Sequence, residues 1–227
     1  MMELRAEKIS RDFLRYSAKD GYFTAVAETD FTLAAGTLTA VTGRSGSGKS
    51  TLLHILGGLM KPVTGRVLLD ETDIYALSEA ERDALRRRHI GIAPQRLMSL
   101  AALTVRENIL LPALLTGQEG ATAARADALM ERLGIRKLAS VTPSELSGGE
   151  LRRVTIARAL VMQLGILLAD EPTGDLDEEN TRSVLRLLRE TADAGTAVLL
   201  VTHEREAAAY ADAAYTMTAG KLEQVKQ

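Results

Sequence analysis

A glycine-rich segment with apolar residues on both sides constrains this chain more than any other feature. Its residues are Gly43, Arg44, Ser45, Gly46, Ser47, Gly48, Lys49, Ser50 and Thr51. They match the phosphate-binding pattern G-x-x-x-x-G-K-[ST] at every fixed position. Residues 39–42 before the segment are typical of a short buried strand, and residues 52–56 after it are typical of an apolar helix. The sequence therefore predicts the strand, loop and helix that this pattern requires, rather than a flexible linker.

Such a loop holds phosphate through its backbone. Glycines allow the chain to curve so that successive N–H groups point inward at phosphate oxygens. The helix that begins near Lys49 adds the positive end of its dipole. We therefore expect Lys49 to reach the β- and γ-phosphates of a nucleotide, and the Ser50 hydroxyl to contact Mg²⁺.

The composition excludes several kinds of function. The 227 residues are 46% hydrophobic and 26% charged, which is ordinary for a globular protein. The formal net charge of −2 implies no general attraction to nucleic acid, and we expect no nucleic-acid partner. The absence of cysteine excludes disulfides, thiolate catalysis and cysteine zinc sites.

The apolar runs of the chain are too short to span a membrane. The longest, residues 154–169, contains Arg158 and Gln163 and falls short of the ~18 residues that a span requires. No secretory leader opens the sequence, so a cytoplasmic location is expected. If the protein serves a membrane, another chain has to supply the spanning part.

The first 38 residues indicate β-structure, with an edge-like first strand over residues 4–9 and an alternating strand over residues 29–33. The apparently irregular segment between these strands contains four aromatic residues: Phe13, Tyr16, Tyr22 and Phe23. These side chains either fill the core or, in one case, stack on an adenine ring. Phe13 has the better spacing from the first strand for stacking.

The pattern changes over residues 96–162, where Ala-, Leu- and Arg-rich helical periodicity replaces strands. Helices are predicted over 105–115 (broken by Pro112), 122–133 and 147–162. From residue 165 apolar strands and amphipathic helices alternate again. We therefore predict an α/β protein in which residues 1–95 and 163–227 form the core and residues 96–162 form an inserted helical subdomain.

Two carboxylates, Asp170 and Glu171, follow an apolar strand predicted over residues 166–169. Ligands of open α/β sheets bind at the carboxyl ends of the strands. Asp170 can hold Mg²⁺ there, directly or through water. Glu171, pointing the other way along the pleat, can polarise an attacking water as a general base. The alternative is a strand that simply ends in solvated acids.

A second helix start contains Ser147, Gly148, Gly149 and Glu150. Ser147 and Glu150 have the spacing of a capping box. Two consecutive glycines weaken a helix, and their use is to leave backbone N–H groups open to an anion at its N-terminus. The chain thus has two helix N-termini suited to phosphate, although one nucleotide needs only one. This predicts a two-fold dimer in which each chain completes the other's site.

Five motifs in sequence order resemble the ATP-binding subunit of an ABC transporter over the whole chain: GRSGSGKST, LSGGE, ILLADEP, TGDLD and VTH. The resemblance implies a P-loop NTPase, RecA-like core with an N-terminal antiparallel β subdomain and an inserted α-helical subdomain. It also implies ATP and Mg²⁺ as cofactors, and a homodimer that forms on ATP binding. An integral membrane permease subunit would hold the protein on the inner face of the cell membrane.

The resemblance also assigns roles to single residues of this sequence. Residues 43–51 bind the phosphates and Mg²⁺ of ATP, and Phe13 stacks on adenine. The metal site includes Ser50, Asp170 and Gln95. The residues assigned to hydrolysis are Lys49, Gln95, Glu171 and His203. The residues assigned to the opposing subunit's nucleotide or the inter-subunit loop are Ser147, Gly148, Gly149 and Asp177.

The sequence departs from the family pattern at two positions, where Glu150 replaces the commoner Gln and Pro94 replaces a common aromatic residue. Because Ser147 and both glycines remain, the phosphate contact is expected to survive. Pro94 bears on the conformation of the Gln95 loop.

The segments RRHIGIAPQ, LTVREN and LLPALLTG resemble the MacB/LolD/FtsE type, whose members drive membrane proteins in lipoprotein release or export. Two functions stay open at this point: powering transport, or FtsE-like regulatory signalling through a membrane partner. Leu97, Met98 and Leu100 either pack in the core or dock that partner.

Overall fold

The computed structural model describes residues 2–14 and 21–225, apart from the side chain of Arg205. Within these residues the chain forms two β-sheets and six α-helices. The strands are β1 (Leu4–Leu14), β2 (Tyr22–Leu33), β3 (Leu38–Thr42), β4 (Thr64–Leu69), β5 (Thr72–Asp73), β6 (Ile90–Ala93), β7 (Ile166–Asp170), β8 (Ala197–Thr202), β9 (Ala213–Thr218) and β10 (Lys221–Gln224). The helices are α1 (Lys49–Leu56), α2 (Glu79–His89), α3 (Val105–Thr116), α4 (Glu119–Arg132), α5 (Gly148–Leu160) and α6 (Glu178–Asp193).

The larger sheet has the strand order β10-β9-β3-β8-β7-β6, and all of its strands except β10 run parallel. Every residue of β7 and β8 is buried. Successive side chains of β7 alternate between two apolar clusters: Ile166 and Leu168 pack with α1, and Leu167 and Ala169 pack with α3–α6. Burial on both faces is why these strands are continuous apolar runs in the sequence.

The smaller sheet is antiparallel, with the order β2-β1-β4-β5. Its apolar face packs on α1, so that this helix lies between the two sheets. β1 is an interior strand, hydrogen-bonded to β2 on one side and to β4 on the other, and the expectation of an edge strand is wrong. Apolar–polar alternation reports that one face is buried but not how many neighbours a strand has.

The expectation of an irregular segment around the early aromatic residues is also wrong. Phe13 lies in β1 opposite Phe23 in β2, and Tyr22 in β2 pairs with Leu14. Tyr16 lies outside the described residues. The register of β1 on β2 shifts at several points, and each shift interrupts the alternation that identifies a strand in sequence.

Helices α3, α4 and α5 lie between β6 and β7, where the sequence predicts them. Pro112 does not break α3, contrary to the prediction. A proline in a helix interior removes one backbone donor and crowds the carbonyl four residues earlier. The apolar packing of α3 with α4 and α5 offsets this cost. Within residues 2–14 and 21–225, no helix has both the length and the apolar content to cross a membrane.

Candidate functional site

The glycine-rich loop connects β3 to α1 under tight steric constraint from neighbouring strands. Gly48 caps α1 with φ 112°, and a Cβ at this position would lie 1.9 Å from the Ala25 carbonyl oxygen of β2. A Cβ on Gly43 would lie 2.4 Å from the Met217 carbonyl oxygen of β9. Glycine is therefore required at both positions, whereas a Cβ on Gly46 would meet no atom within 4 Å.

The loop is open to ligands along its middle. Arg44, Ser45 and Gly46 are exposed. The Ser47 hydroxyl is buried and has no hydrogen-bond partner among the described residues. A loop of this kind at the N-terminus of a helix favours an anion, because its N–H groups and the helix dipole both point positive charge at it.

Lys49 lies at the first position of α1 and is 6% exposed. Its Nζ donates to the Gly43 carbonyl at 2.8 Å and to the Arg44 carbonyl at 3.3 Å. The same Nζ lies 3.5 Å from Oε1 of Glu171. The ammonium group is therefore held between the glycine-rich loop and the end of β7.

Glu171 follows β7 directly and is 8% exposed. Its φ of 48° turns the chain out of the sheet, so the side chain does not follow the pleat, contrary to expectation. Oε2 accepts from the backbone N–H of His203 at 3.2 Å and lies 2.8 Å from Nδ1 of its ring. The carboxylate thus joins Lys49 on one oxygen to His203 on the other.

Asp170 ends β7 and is 2% exposed. Burial raises the pKa of this carboxyl, and a hydrogen bond from the Ser50 hydroxyl acts in the opposite direction. Its Oδ1 is buried and has no partner within residues 2–14 and 21–225. A hydroxyl and a carboxylate with a free oxygen are hard ligands, which fit Mg²⁺ beside the phosphates of a nucleotide.

Gln95 lies two residues beyond the end of β6, and its side chain is exposed. Its backbone carbonyl accepts from Nη1 of Arg152 at 2.7 Å, and that of Pro94 accepts from the same nitrogen at 3.3 Å. In the loop that follows, Met98 and Leu100 are 62% and 50% exposed, while Leu97 is half-buried. For Met98 and Leu100 the structure therefore favours a surface role over core packing.

The second helix start has the predicted cap. The Ser147 hydroxyl accepts from the Glu150 backbone N–H at 3.3 Å and donates to Oε2 of Glu150 at 2.7 Å. The hydroxyl and the backbone N–H of Ser147 both donate to the Glu150 carboxylate, and these two hydrogen bonds lower the pKa of Glu150. Ser147 and Gly148 are exposed, and a Cβ on Gly148 would meet no atom within 4 Å. The first turn of α5 thus presents an open surface.

Two predicted site residues have local structural roles. Asp177 caps α6, accepting from the backbone N–H of Asn180 at 2.8 Å and from its side-chain amide at 2.8 Å. Phe13 is half-buried, and the guanidinium carbon of Arg11 lies 5.0 Å from the centre of its ring. One face of Phe13 is therefore covered by a cation.

Sequence reasoning missed two polar contacts around the site. Arg152 is 5% exposed in α5, and the Thr173 hydroxyl donates to Oε2 of Glu204 at 2.7 Å. Arg152 stands beside Arg153 in the sequence, and nothing local distinguishes the buried arginine from its half-buried neighbour. The second contact joins loops that are far apart in the chain and leaves no local pattern.

The parallel sheet brings these groups to one edge, because β3, β6, β7 and β8 all end there. The edge carries an anion-binding loop, a buried lysine, a pair of buried carboxylates and a histidine. Phosphoryl transfer to water requires a cradle for the phosphate, neutralisation of its charge and a base for the attacking water. The glycine-rich loop can serve as the cradle, Lys49 can neutralise charge, and one of the two carboxylates can act as the base.

Comparison with known proteins identifies the kind of chain this is. A family model described as ABC transporter matches residues 26–174. The lipoprotein-releasing system ATP-binding protein LolD of Shewanella oneidensis is 41% identical over 225 residues, covering 97% of this chain and 95% of that protein. The LolD protein of Psychrobacter arcticus is 45% identical over 186 residues, covering 81% of this chain and 82% of that protein.

A longer relative is also similar. The probable syringafactin export ATP-binding/permease protein SyfD of Pseudomonas syringae is 41% identical over 209 residues, covering 92% of this chain but 32% of that protein.

Solved structures agree with these matches. The dimeric structure of a bacterial ABC transporter cassette has a TM-score of 0.88 at 28% identity and covers 99% of both chains. A dimeric post-hydrolysis state of that cassette, bound to ADP and Pi, has a TM-score of 0.87 at 27% identity and covers 99% of both chains. The predicted fold class, a P-loop NTPase with an antiparallel β subdomain and inserted helices, is confirmed.

Replacement of Gly48 by alanine tests the steric constraint on the loop. We expect Gly48→Ala to destabilise the protein and to abolish nucleotide binding, because the new Cβ has to displace the β2 backbone. Gly46→Ala is the matched control, since its φ of 77° costs about 1–2 kcal/mol but its Cβ is unobstructed. Urea denaturation followed by circular dichroism measures the first effect, and binding of a fluorescent ATP analogue measures the second. Equal losses of stability in the two variants would contradict a steric constraint specific to Gly48.

Proposed function

This chain belongs to the ABC transporter family, and we propose that it is the ATP-hydrolysing subunit that drives a separate membrane protein in lipoprotein release or export. It binds and hydrolyses ATP. The relatives named for lipoprotein release cover nearly the whole chain, and SyfD is named for export. These names favour transport over regulatory signalling. The observation that carries the proposal is the meeting of Lys49, Glu171 and His203 at the end of the glycine-rich loop.

The nucleotide would lie along the glycine-rich loop, residues 43–51. Backbone N–H groups of the loop would hold its phosphates, and Lys49 would turn from its carbonyl partners toward the β- and γ-phosphates. Ser47, whose buried hydroxyl has no partner in the described part of the chain, supplies a further donor. The adenine ring would stack on the face of Phe13 that Arg11 leaves uncovered.

Ser50, Asp170 and Gln95 would hold Mg²⁺. The free Oδ1 of Asp170 supports this assignment, because a buried carboxylate oxygen without a partner is costly unless a cation satisfies it. When bound, the ion neutralises charge on the phosphate oxygens. Gln95 would approach from the exposed start of its loop.

Glu171 would act as the general base in hydrolysis. Its carboxylate is buried beside Lys49, at the end of the strand that neighbours both β6 and β8. His203, bonded to the same carboxylate, would fix its orientation and turn the other ring nitrogen toward the γ-phosphate. Most of the rate enhancement would come from positioning and charge neutralisation.

Two copies of the chain would complete each site. The exposed first turn of α5, with Ser147, Gly148 and Gly149, would bind the γ-phosphate held by the opposing copy. The dimeric forms of the similar cassette support this arrangement. Asp177, which caps α6, would lie in the loop between the two copies.

The helical subdomain, residues 96–162, would carry the contact with the membrane partner. We assign docking to the loop after Gln95, because Met98 and Leu100 present apolar side chains at its surface. This contact would hold the protein at the cytoplasmic face of the membrane.

Replacement of Asp170 tests two properties of its buried carboxylate, the loss of folding stability that its charge causes and the binding of Mg²⁺. The pKa of this acid is raised in the folded state, so its ionised form destabilises the fold at neutral pH. We expect Asp170→Asn to raise the urea midpoint without Mg²⁺, and the gain to shrink as pH falls through the raised pKa. Calorimetric titration should show that Mg²⁺ no longer strengthens ATP binding. A lower urea midpoint at neutral pH would contradict the cost of the buried charge to stability. Unchanged dependence of ATP binding on Mg²⁺ would contradict the role of Asp170 in the metal site.

Replacement of Glu171 tests the proposed function directly. Glu171→Gln keeps the size of the side chain but removes the base, and we expect the steady-state rate of phosphate release to fall at least about 100-fold. Binding of ATP should stay within a few fold of wild type, because the glycine-rich loop is unchanged. Glu131→Gln, at an exposed position of α4, is the control. Hydrolysis by Glu171→Gln at the wild-type rate would exclude Glu171 as the base.

A further inference from the structure

One buried guanidinium, that of Arg152, joins its own helix to two loops that meet at the site. Arg152 lies on α5, which begins at Ser147. Its Nη1 donates to the carbonyls of Pro94 and Gln95, at the start of the exposed loop after β6. Its Nη2 lies 3.8 Å from Oδ2 of Asp175, in the loop between β7 and α6.

The charge of Arg152 makes these contacts costly to replace. The residue is 5% exposed, and burial lowers its pKa, while Asp175, Asp170 and Glu171 favour its charged form. Hydrogen bonds from a buried charged donor are stronger than those between neutral groups. A guanidinium can serve two directions at once because its donors form a rigid fork.

The loop that contains Asp175 is held by two further contacts, one to the His203 loop and one to α5. The Thr173 hydroxyl donates to Oε2 of Glu204, the residue after His203. A Cβ on Gly149 would lie 3.2 Å from the Asp175 carbonyl oxygen, so the loop packs on the first turn of α5. A shift of α5 would therefore displace the Gln95 loop directly through Arg152, and the His203 loop indirectly through the Asp175 loop.

We propose that Arg152 is a positioning residue for ATP hydrolysis, which sets the Gln95 and Asp175 loops relative to the helix that begins at Ser147. The inference rests on the proposed function, in which Ser147 serves the nucleotide of the opposing copy and Gln95 serves its own. Arg152 then couples the binding of the opposing copy's nucleotide at Ser147 to the position of Gln95 beside the chain's own nucleotide. It does not touch the nucleotide itself.

The test compares Arg152→Met with Arg125→Met in the full-length chain. Arg125 is the matched control, since its guanidinium also donates to a backbone carbonyl, that of Leu160 at 3.0 Å, at the far end of α5. We expect kcat for ATP hydrolysis to fall roughly tenfold to a hundredfold in Arg152→Met, because the Gln95 and Asp175 loops lose the contacts that position them for the transition state. KM for ATP should stay within about twofold, because the glycine-rich loop is untouched, and the Hill coefficient should fall toward 1.

Two further variants keep the proposal testable if Arg152→Met does not fold. Arg152→Lys keeps the charge but not the fork, so its kcat should lie between those of wild type and Arg152→Met. Asp175→Asn, at an exposed position, should lower kcat by a smaller factor. Wild-type kcat in Arg152→Lys, or equal effects of Arg152→Met and Arg125→Met, would overturn the proposal. Absence of hydrolysis by the wild-type protein would instead overturn the proposed function.

Discussion

The carboxylate of Glu171 joins the ends of three parallel strands. One oxygen faces Lys49, which follows β3 through the glycine-rich loop, and the other bonds His203, which follows β8. The left-handed backbone at Glu171 costs free energy, and a hydrogen bond from its N–H to the Val201 carbonyl at 2.8 Å helps to hold it. The strained turn is what allows two successive carboxylates, Asp170 and Glu171, to lie in the same site.

This site depends on a sheet that is buried on both faces. α1 and the antiparallel sheet cover one face, and α3–α6 cover the other. The sheet can therefore hold its strand ends rigidly while the loops beyond them carry polar groups. Gly43 and Gly48 extend the same close packing into the phosphate-binding loop, where neighbouring strands leave no room for a side chain.

Most of the site could be predicted from the sequence because its signals are local. The glycine-rich loop, the capped start of α5 at Ser147 and the carboxylates after β7 each lie within a few consecutive residues. The interior position of β1 could not be predicted, because alternation records burial and not the number of neighbouring strands. The ion pair of Lys49 with Glu171 and the contacts of Arg152 join residues distant in the chain. Helix α3 shows a third kind of error, since Pro112 is tolerated where a simple rule ends the helix.

In the proposed mechanism, one nucleotide is enclosed by two copies of this chain. Lys49 is buried within its own loop, whereas Ser147 and Gly148 are exposed on the first turn of α5, which suits them to an external phosphate. Sedimentation equilibrium of the hydrolysis-deficient Glu171→Gln protein with Mg²⁺ and ATP tests this most directly. We expect a dimer that holds two ATP molecules and becomes monomeric when Ser147 is replaced by arginine. A monomer with ATP bound, or a dimer unaffected by that replacement, would contradict it.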